Sequence, residues 1–174
     1  CGAKKAAKFV RFCDAFSIPV ITLVDSKGVK ACDDSFGGDV KAVAVLASAY
    51  SEATTAKVTV VTGNALAGAY ISFVSSAGAP DMVYAYADSV IGVLEPMTAV
   101  QLLYKERMAN GEDRKALEAE YVSDKCSPFV AAATGLVNDV IDPADAANKI
   151  VSALDILSSK RVSTLSKKHT NIPL

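Results

Sequence analysis

The sequence predicts an α/β fold in which parallel strands alternate with helices. Apolar runs of buried-strand length, rich in β-branched residues, occur at 18–25, 57–63 and 137–141, and segments with helical periodicity separate them. Strands and helices that alternate in this way favour parallel pairing, with helices packed on the sheet. The 174 residues suffice to bury a core without a disulfide or a metal, so we expect one domain spanning 1–174.

The first half of the chain is predicted to contain two helices, each followed by a strand. The helix at 3–16 has a stripe that comprises Phe9, Phe12, Cys13 and Phe16. Ser17 and Pro19 end it, and the strand at 18–25 follows. After a polar loop, the helix at 39–54 has an apolar face that comprises Val40, Val43, Ala44 and Ala47.

The second half is predicted to contain shorter elements. In chain order these are a helix start within 65–78, one or two strands within 82–94, a helix from Pro96 to about Met108, a charged helix at 112–124, a short helix from Pro128 to near Gly135 and the strand at 137–141. The last helix opens at Asp142, a suitable N-cap, with Pro143 in the first position, and ends near Lys160.

Composition and charge argue against several classes of protein. A net charge of −1, from 18 basic and 19 acidic residues, gives no attraction for nucleic acid. No apolar run approaches the roughly 20 residues that a membrane span needs. Four cysteines without a C-x-x-C pair, beside one histidine, argue against a metal site. With no secretory signal at the start, we expect a cytoplasmic protein.

Two glycine-containing turns are candidates for a site. VVTGNALAGAY, at 60–70, predicts a strand that turns through small residues into a helix, where the first N–H groups have no intrahelical partner and can face a developing oxyanion. The alternative is that these small residues allow tight helix packing. Gly28 and Val29, in the loop after the first strand, offer another N–H pair or an ordinary surface turn.

Few side chains suit covalent or acid–base chemistry. Ser26 and Ser72 lie near the glycines but have no plausible base, and His169 lies five residues from the end of the chain. This argues against a Ser-His-Asp triad of the kind a ClpP-type peptidase would place on the same coarse fold. Glu95 precedes a helix that starts with Pro96, so it is either a hydratase base or a carboxylate at a helix N-terminus.

An ordered series of segments resembles the C-terminal half of biotin-dependent acyl-CoA carboxylase carboxyltransferase subunits, such as the propionyl-CoA carboxylase β-chain. The series comprises KKAAKFVRFCDAFSIPVITLVD (4–25), SEATTAKVTVVTGNALAGAY (51–70), DSVIGV (88–93), the Pro-Phe and Ala-Ala segment at 128–133, GLVNDVIDP (135–143) and KHTNIPL (168–174). It covers essentially the whole chain. The resemblance implies a crotonase/ClpP-like fold of repeated β-β-α units, and carboxyl transfer between carboxybiotin, held on a biotin carboxyl carrier protein, and an acyl-CoA.

The resemblance also implies roles for particular residues. Gly68 and Ala69 match the Gly-Ala of the family's GGAY motif, which forms the biotin-side oxyanion hole, and Gly28 and Val29 match a Gly-Phe pair of the upstream loop. The residue after the Ala-Tyr lines the acyl pocket. The implied substrate-binding residues are Ala67, Tyr70 and Ile71. No metal is implied.

Departures from the family pattern leave alternatives open. The upstream loop contains SKGVKA, GGAY has become AGAY, and Leu94-Glu95-Pro96 replaces a Met-Gly pair. A decarboxylase α-subunit of a sodium-pump complex and a non-catalytic assembly module of the same fold are therefore alternatives. The family's N-terminal half, which supplies most of the CoA site, is expected as a partner, within a homo-oligomer.

Overall fold

The computed structural model describes residues 2–28 and 36–163, and within these ranges it forms a five-stranded parallel sheet. The strands are β1 (Val20–Ser26), β2 (Lys57–Leu66), β3 (Met82–Tyr86), β4 (Val90–Gly92) and β5 (Asp139–Ile141). Their order is β1-β2-β3-β5, and β4 pairs with the last residues of β2. Every pairing is parallel, which confirms the predicted α/β class.

The helices are α1 (Gly2–Ala15), α2 (Phe36–Glu52), α3 (Pro96–Leu103), α4 (Lys105–Ala109), α5 (Arg114–Tyr121), α6 (Pro128–Ala133) and α7 (Ala146–Leu157). Two π-helices, Tyr70–Val74 and Val122–Cys126, and a 3₁₀ turn at Pro143–Asp145 complete the described elements. Within the described ranges, none of these helices combines the length and the apolar character that crossing a bilayer requires.

The sheet lies between two helical layers because its strands carry apolar residues on both faces. On one face, Val20 packs with α1 and α2, while Val24 and Val61 pack with the segment around the Tyr70–Val74 helix. On the other face, Val58 and Val60 pack against α7. Strand β2 is central and buried along most of its ten residues. Its C-terminal end therefore lies in the middle of one sheet edge.

Most predicted elements are present, with altered boundaries. The Asp142 carboxylate accepts a hydrogen bond from the Ala144 N–H at 2.8 Å, which confirms the predicted cap. The single helix predicted from Pro96 to Met108 is wrong: it is two helices that break at Tyr104, whose φ is −111° and ψ 24°. The last helix ends at Leu157 rather than near Lys160.

The buried faces of the first two helices differ from the prediction. In α1, Cys13 is buried as expected, but Phe9, Phe12 and Phe16 are 56–66% exposed, and the buried residues are Ala7, Val10 and Cys13. In α2, the buried residues are Ala42, Leu46, Ala49 and Tyr50. Both helices have more apolar residues than one face can hold, so periodicity alone does not select the face that meets the sheet.

A buried lysine fixes the N-terminal edge of the sheet. The Lys57 side chain is 2% exposed, and its Nζ donates to the carbonyl oxygens of Tyr50, at 2.5 Å, and Gly78, at 3.2 Å. Tyr50 lies in the last turn of α2, where a cation is favourable. Burial lowers the pKa of Lys57 from its usual value. The Asp81 carboxylate accepts from the Lys57 backbone N–H and from Lys160 Nζ, both at 2.8 Å.

We predict that Asp81→Ala lowers the free energy of unfolding by about 1–3 kcal/mol, because it leaves the buried Lys57 N–H without an acceptor. Asp139→Ala is the matched control. It removes an exposed ion pair with Lys149, 2.6 Å long, and is expected to cost at most about 1 kcal/mol. Denaturant unfolding of both variants measures the difference, and equal losses would contradict the role given to Asp81.

Candidate oxyanion site

The site is built where β2 ends and the chain turns sharply into a short helix. The Ala67 N–H donates to the Gly92 carbonyl at 3.2 Å, which ties the turn to β4. Ala67 has φ +51°, in the left-handed region that alanine rarely adopts. Its carbonyl accepts the first helical hydrogen bond, from the Ile71 N–H at 3.1 Å. Gly68 and Ala69 are thus the first residues of the helix.

The N–H groups of Gly68 and Ala69 are the donors that the sequence predicted at this position. Across 2–28 and 36–163, no carbonyl or side chain accepts a hydrogen bond from either of them. This is expected of the first turn of a helix, whose N–H groups point out of its N-terminal end. Ala69 is 6% exposed, so its backbone is largely withdrawn from bulk water. Two adjacent donors with these properties can hold a negatively charged oxygen.

The end of β1 forms the facing wall. Gly28 has φ +115°, and a Cβ atom there would lie 3.2 Å from the Ala67 Cβ. Glycine is therefore required both by its backbone conformation and by the close approach of the two turns. The Gly28 N–H donates to Ser26 Oγ at 3.2 Å, so this donor is already engaged. Val29, the other half of the predicted pair, lies outside the described residues.

A carboxylate joins the ends of β1 and β2. Asp25 Oδ1 accepts from the Asn64 N–H at 2.9 Å and from the Asn64 side-chain amide at 3.1 Å. The hydrogen bond from the Asn64 backbone is the main cause that lowers the pKa of Asp25. A Cβ atom on Gly63 would lie 2.5 Å from Asp25 Oδ1, so this contact needs glycine at 63. The contact fixes the end of β1 relative to the end of β2.

Two cavities meet at Gly68. The smaller, of about 190 Å³, is lined by Ser26, Gly28, Gly68 and Ala69 together with residues of α1, α2 and the Tyr70–Val74 helix. The larger, of about 420 Å³, is lined by Val40, Val43, Ala44, Ala47, Ala67, Gly68, Ile71 and Ser72. Gly68, Val43 and Ser72 belong to both. The structure thus brings Gly28, Ala67, Gly68, Ala69 and Ile71 together around two neighbouring cavities.

Other candidates lie apart from these cavities. Tyr70 lines a different cavity, between β4, the Val122–Cys126 helix and α6. Glu95 lines neither cavity at Gly68; it stands at the start of α3, where its carbonyl accepts from the Ala99 N–H at 2.9 Å. His169 lies outside the described residues.

Sequence reasoning missed one wall of the site, and it considered Ser72 only as a nucleophile without a base. The face of α2 assigned to the core, with Val40, Val43, Ala44 and Ala47, lines the larger cavity instead. Ser72 lies between the cavities and is 3% exposed. A signal for Ser72 was available, since it follows Gly68 by four residues and such residues share a helical face.

We predict that Ala67→Gly raises the free energy of unfolding by up to about 1 kcal/mol, because glycine adopts a positive φ without steric cost. Ala69→Gly is the matched control in the same turn. Ala69 has φ −69° and ψ −42°, so glycine there is expected to lower stability by about 1 kcal/mol. Thermal or denaturant unfolding measures the change in stability of both variants. A change in the same direction for the two would contradict the positive φ assigned to Ala67.

The chain is similar to known proteins along nearly all of its length. Residues 2–172 match the family profile described as "Carboxyl transferase domain". It is 39% identical to the methylmalonyl-CoA carboxyltransferase 12S subunit of Propionibacterium freudenreichii subsp. shermanii, over 97% of this chain and 33% of that protein. It is 41% identical to the mitochondrial propionyl-CoA carboxylase β chain of Homo sapiens, over 98% of this chain and 31% of that protein.

Solved structures agree with these matches. The crystal structure of the transcarboxylase 12S hexamer, with methylmalonyl-coenzyme A and methylmalonic acid bound, superposes with a TM-score of 0.91 at 38% identity, covering 99% of this chain and 34% of that one. This confirms the crotonase-like fold. The chain spans about a third of the length of the curated relatives it matches. With a profile match from residue 2 to residue 172, the chain belongs to the carboxyl transferase domain family.

Proposed function

We propose that this chain forms the biotin-side half of a site that transfers a carboxyl group between carboxybiotin and an acyl-CoA. The observation that carries the proposal is the pair of N–H groups at Gly68 and Ala69. They lack acceptors within the described residues; both residues line the smaller cavity, and Gly68 lines the larger one as well. The family membership of the chain and its similarity to carboxyltransferase subunits support the same assignment.

The proposed carboxyl transfer needs mainly hydrogen-bond donors that the fold holds in position. When bound, carboxybiotin supplies the carboxyl group. The Gly68 and Ala69 N–H groups donate hydrogen bonds to the ureido oxygen, on which negative charge develops as that group leaves. Donors fixed by the fold do not reorient during the reaction, and one such donor changes the rate by about 10²–10³-fold in a known case. The ureido anion left by the departing carboxyl group would accept the α-proton of the acyl-CoA, so the proposal requires no side-chain nucleophile or base of this chain.

The larger cavity suits the acyl group of the acceptor. Its wall is made of Val40, Val43, Ala44 and Ala47 from α2 and of Ile71, which is 47% exposed. An apolar side chain at 71 gives no hydrogen bond to a polar acyl substituent, so we propose a short apolar acyl-CoA of the acetyl or propionyl class. The structure of the 12S relative contains methylmalonyl-coenzyme A, which is the carboxylated form of propionyl-CoA, so the proposed class comprises acetyl-, propionyl- and methylmalonyl-CoA.

The proposal includes partners because the 12S relative is described as a multienzyme core. We propose that an N-terminal carboxyltransferase half supplies most of the CoA site, and that a biotin carboxyl carrier protein presents the biotin. A homo-oligomer is proposed as well, since the 12S relative assembles as a hexamer. The described cysteines, Cys13 and Cys126, are buried free thiols, which suits the reducing cytoplasm that we propose.

A decarboxylase subunit is the second candidate. The α-subunits of methylmalonyl-CoA decarboxylase from Veillonella parvula and Propionigenium modestum are each 39% identical to this chain, as similar as the 12S carboxyltransferase. The same two donors serve either direction, because the charged oxygen is the same. Co-purification of the chain with a membrane-bound ion pump would favour the decarboxylase.

Two other candidates receive less support. A non-catalytic assembly module would not need free donors at Gly68 and Ala69, and within the described residues these donors are free. A hydratase would need Glu95 beside the substrate, and Glu95 lines neither cavity.

We predict that Ala69→Pro lowers carboxyl transfer by about 10²–10³-fold, because it deletes one of the two donors. The φ of Ala69, −69°, already fits proline, and the first helical turn tolerates it. The assay measures transfer of a labelled carboxyl group from methylmalonyl-CoA to free biotin by the chain combined with a complementary N-terminal half.

Ala69→Gly is the control for this experiment. It removes the side chain but keeps the N–H, so it is expected to retain transfer within a few-fold. Circular dichroism of each variant verifies that the fold is retained. Equal transfer rates for a folded Ala69→Pro variant and for Ala69→Gly would refute the assignment of these N–H groups.

A further inference from the structure

Ala67 combines an unfavourable backbone conformation with a position beside the proposed substrate site. Its φ of +51° lies in the left-handed region, where the Cβ atom of alanine is crowded and glycine has none. Ser17 and Ala79 also have a positive φ, but Ser17 follows α1, Ala79 precedes β3, and neither lines a cavity at Gly68. Strained residues cluster at functional sites, so the strain at Ala67 is a reason to ask what its methyl group does there.

The methyl group of Ala67 lies at the boundary of the two cavities. Ala67 is half-buried and lines the 420 Å³ cavity but not the 190 Å³ cavity, whereas Gly28 lines only the smaller one. A Cβ atom added to Gly28 would lie 3.2 Å from the Ala67 Cβ, so the methyl group of Ala67 is on the side that faces Gly28. Removing this methyl group would therefore extend the larger cavity toward Gly28.

The larger cavity can distinguish acyl groups mainly by the space that it leaves for them. Besides Ala67, Gly68 and Ser72, its lining is aliphatic and comprises Val40, Val43, Ala44, Ala47 and Ile71. In apolar pockets one methylene group more or less on the substrate changes kcat/KM by about 10–200-fold. One methyl group on the wall is therefore large enough to decide between an acyl group and its next homologue.

We propose that the Ala67 methyl group limits the length of the acyl group, so that the larger cavity accepts acetyl and propionyl groups and excludes butyryl. This inference rests on the proposed function and deepens it, because it names the residue that selects the substrate among short acyl-CoA compounds. Glycine at 67 would relieve the backbone strain and would also leave room for one further carbon. Alanine keeps the cavity short at the cost of that strain.

The test measures transfer of a labelled carboxyl group to free biotin by the chain combined with a complementary N-terminal half. The donors are malonyl-, methylmalonyl- and ethylmalonyl-CoA, which are the carboxylated forms of acetyl-, propionyl- and butyryl-CoA. In each reaction the bond between the carboxyl group and the α-carbon breaks, a bond to a ureido nitrogen forms, and the proton of that nitrogen passes to the α-carbon. We expect Ala67→Gly to raise kcat/KM for ethylmalonyl-CoA relative to methylmalonyl-CoA by about tenfold.

Two further variants remove one methyl group from other positions. Ala3→Gly is the matched control, because Ala3 lines the smaller cavity and not the larger one, and we expect it to keep the wild-type ratio of the two kcat/KM values. Ile71→Val shortens a side chain on the wall of the larger cavity itself. Because Ile71 is 47% exposed, we expect this variant to change the ratio less than Ala67→Gly does.

The outcomes separate the inference from the proposed function. If the wild-type complex transfers the carboxyl group of methylmalonyl-CoA and Ala67→Gly keeps the wild-type ratio, the inference is overturned and the proposed function stands. A larger change of the ratio in Ile71→Val than in Ala67→Gly assigns the selection to residue 71 and also overturns the inference. If the wild-type complex transfers no carboxyl group from any of the three donors, the proposed function fails and the inference fails with it.

Discussion

The site depends on the abrupt turn at the end of the central strand. Strand β2 stays buried and paired up to Leu66, and the next residue, Ala67, reverses the chain with a left-handed backbone. Because the helix begins immediately after this turn, the N–H groups of its first residues cannot find partners within it. The parallel sheet fixes where this happens, since β1, β3 and β4 hold β2 on both sides. Two donors that have no acceptor among the described residues therefore occur at a place that the topology fixes, and no particular side chain is needed to put them there.

Polar groups are distributed unequally between the two ends of the sheet. At the N-terminal edge, the Asp81 carboxylate accepts from the Lys57 N–H and from Lys160 Nζ. Lys57 Nζ in turn donates to the carbonyls of Tyr50 and Gly78. At the C-terminal edge, the contact of Asp25 with Asn64 fixes the strand ends, while the Gly68 and Ala69 donors have no acceptor in the described chain. When the polar groups at one edge of the sheet are hydrogen-bonded, the fold can leave donors without acceptors at the other edge at a small cost in its free energy of unfolding. The proposed ligand site therefore lies at the carboxyl ends of the strands, as is general for parallel α/β sheets.

Much of the fold could be predicted from the sequence, and less of the site. The strands were evident as β-branched runs between turn residues, and the cap at Asp142 followed from its side chain and Pro143. The exposed Phe9 and Phe12 could not be foreseen, because a helix with apolar residues on several sides gives no preferred buried face. The contact of Asp25 with Gly63 joins residues on neighbouring strands, and periodicity carries no information about such pairs. The left-handed backbone of Ala67 could not be predicted either, because alanine rarely adopts that conformation.

The change from GGAY to AGAY affects the turn at the end of β2. The first glycine of that motif corresponds to Ala67, whose φ of +51° suits glycine better than alanine. The added methyl group lines the larger cavity and lies against Gly28, so it narrows the space between the two turns without removing either N–H of Gly68 and Ala69. Alanine at 67 therefore affects the stability of the turn and the shape of the larger cavity, while both N–H groups remain present. Divergence of this motif is compatible with the proposed chemistry, because the groups proposed to act are backbone atoms.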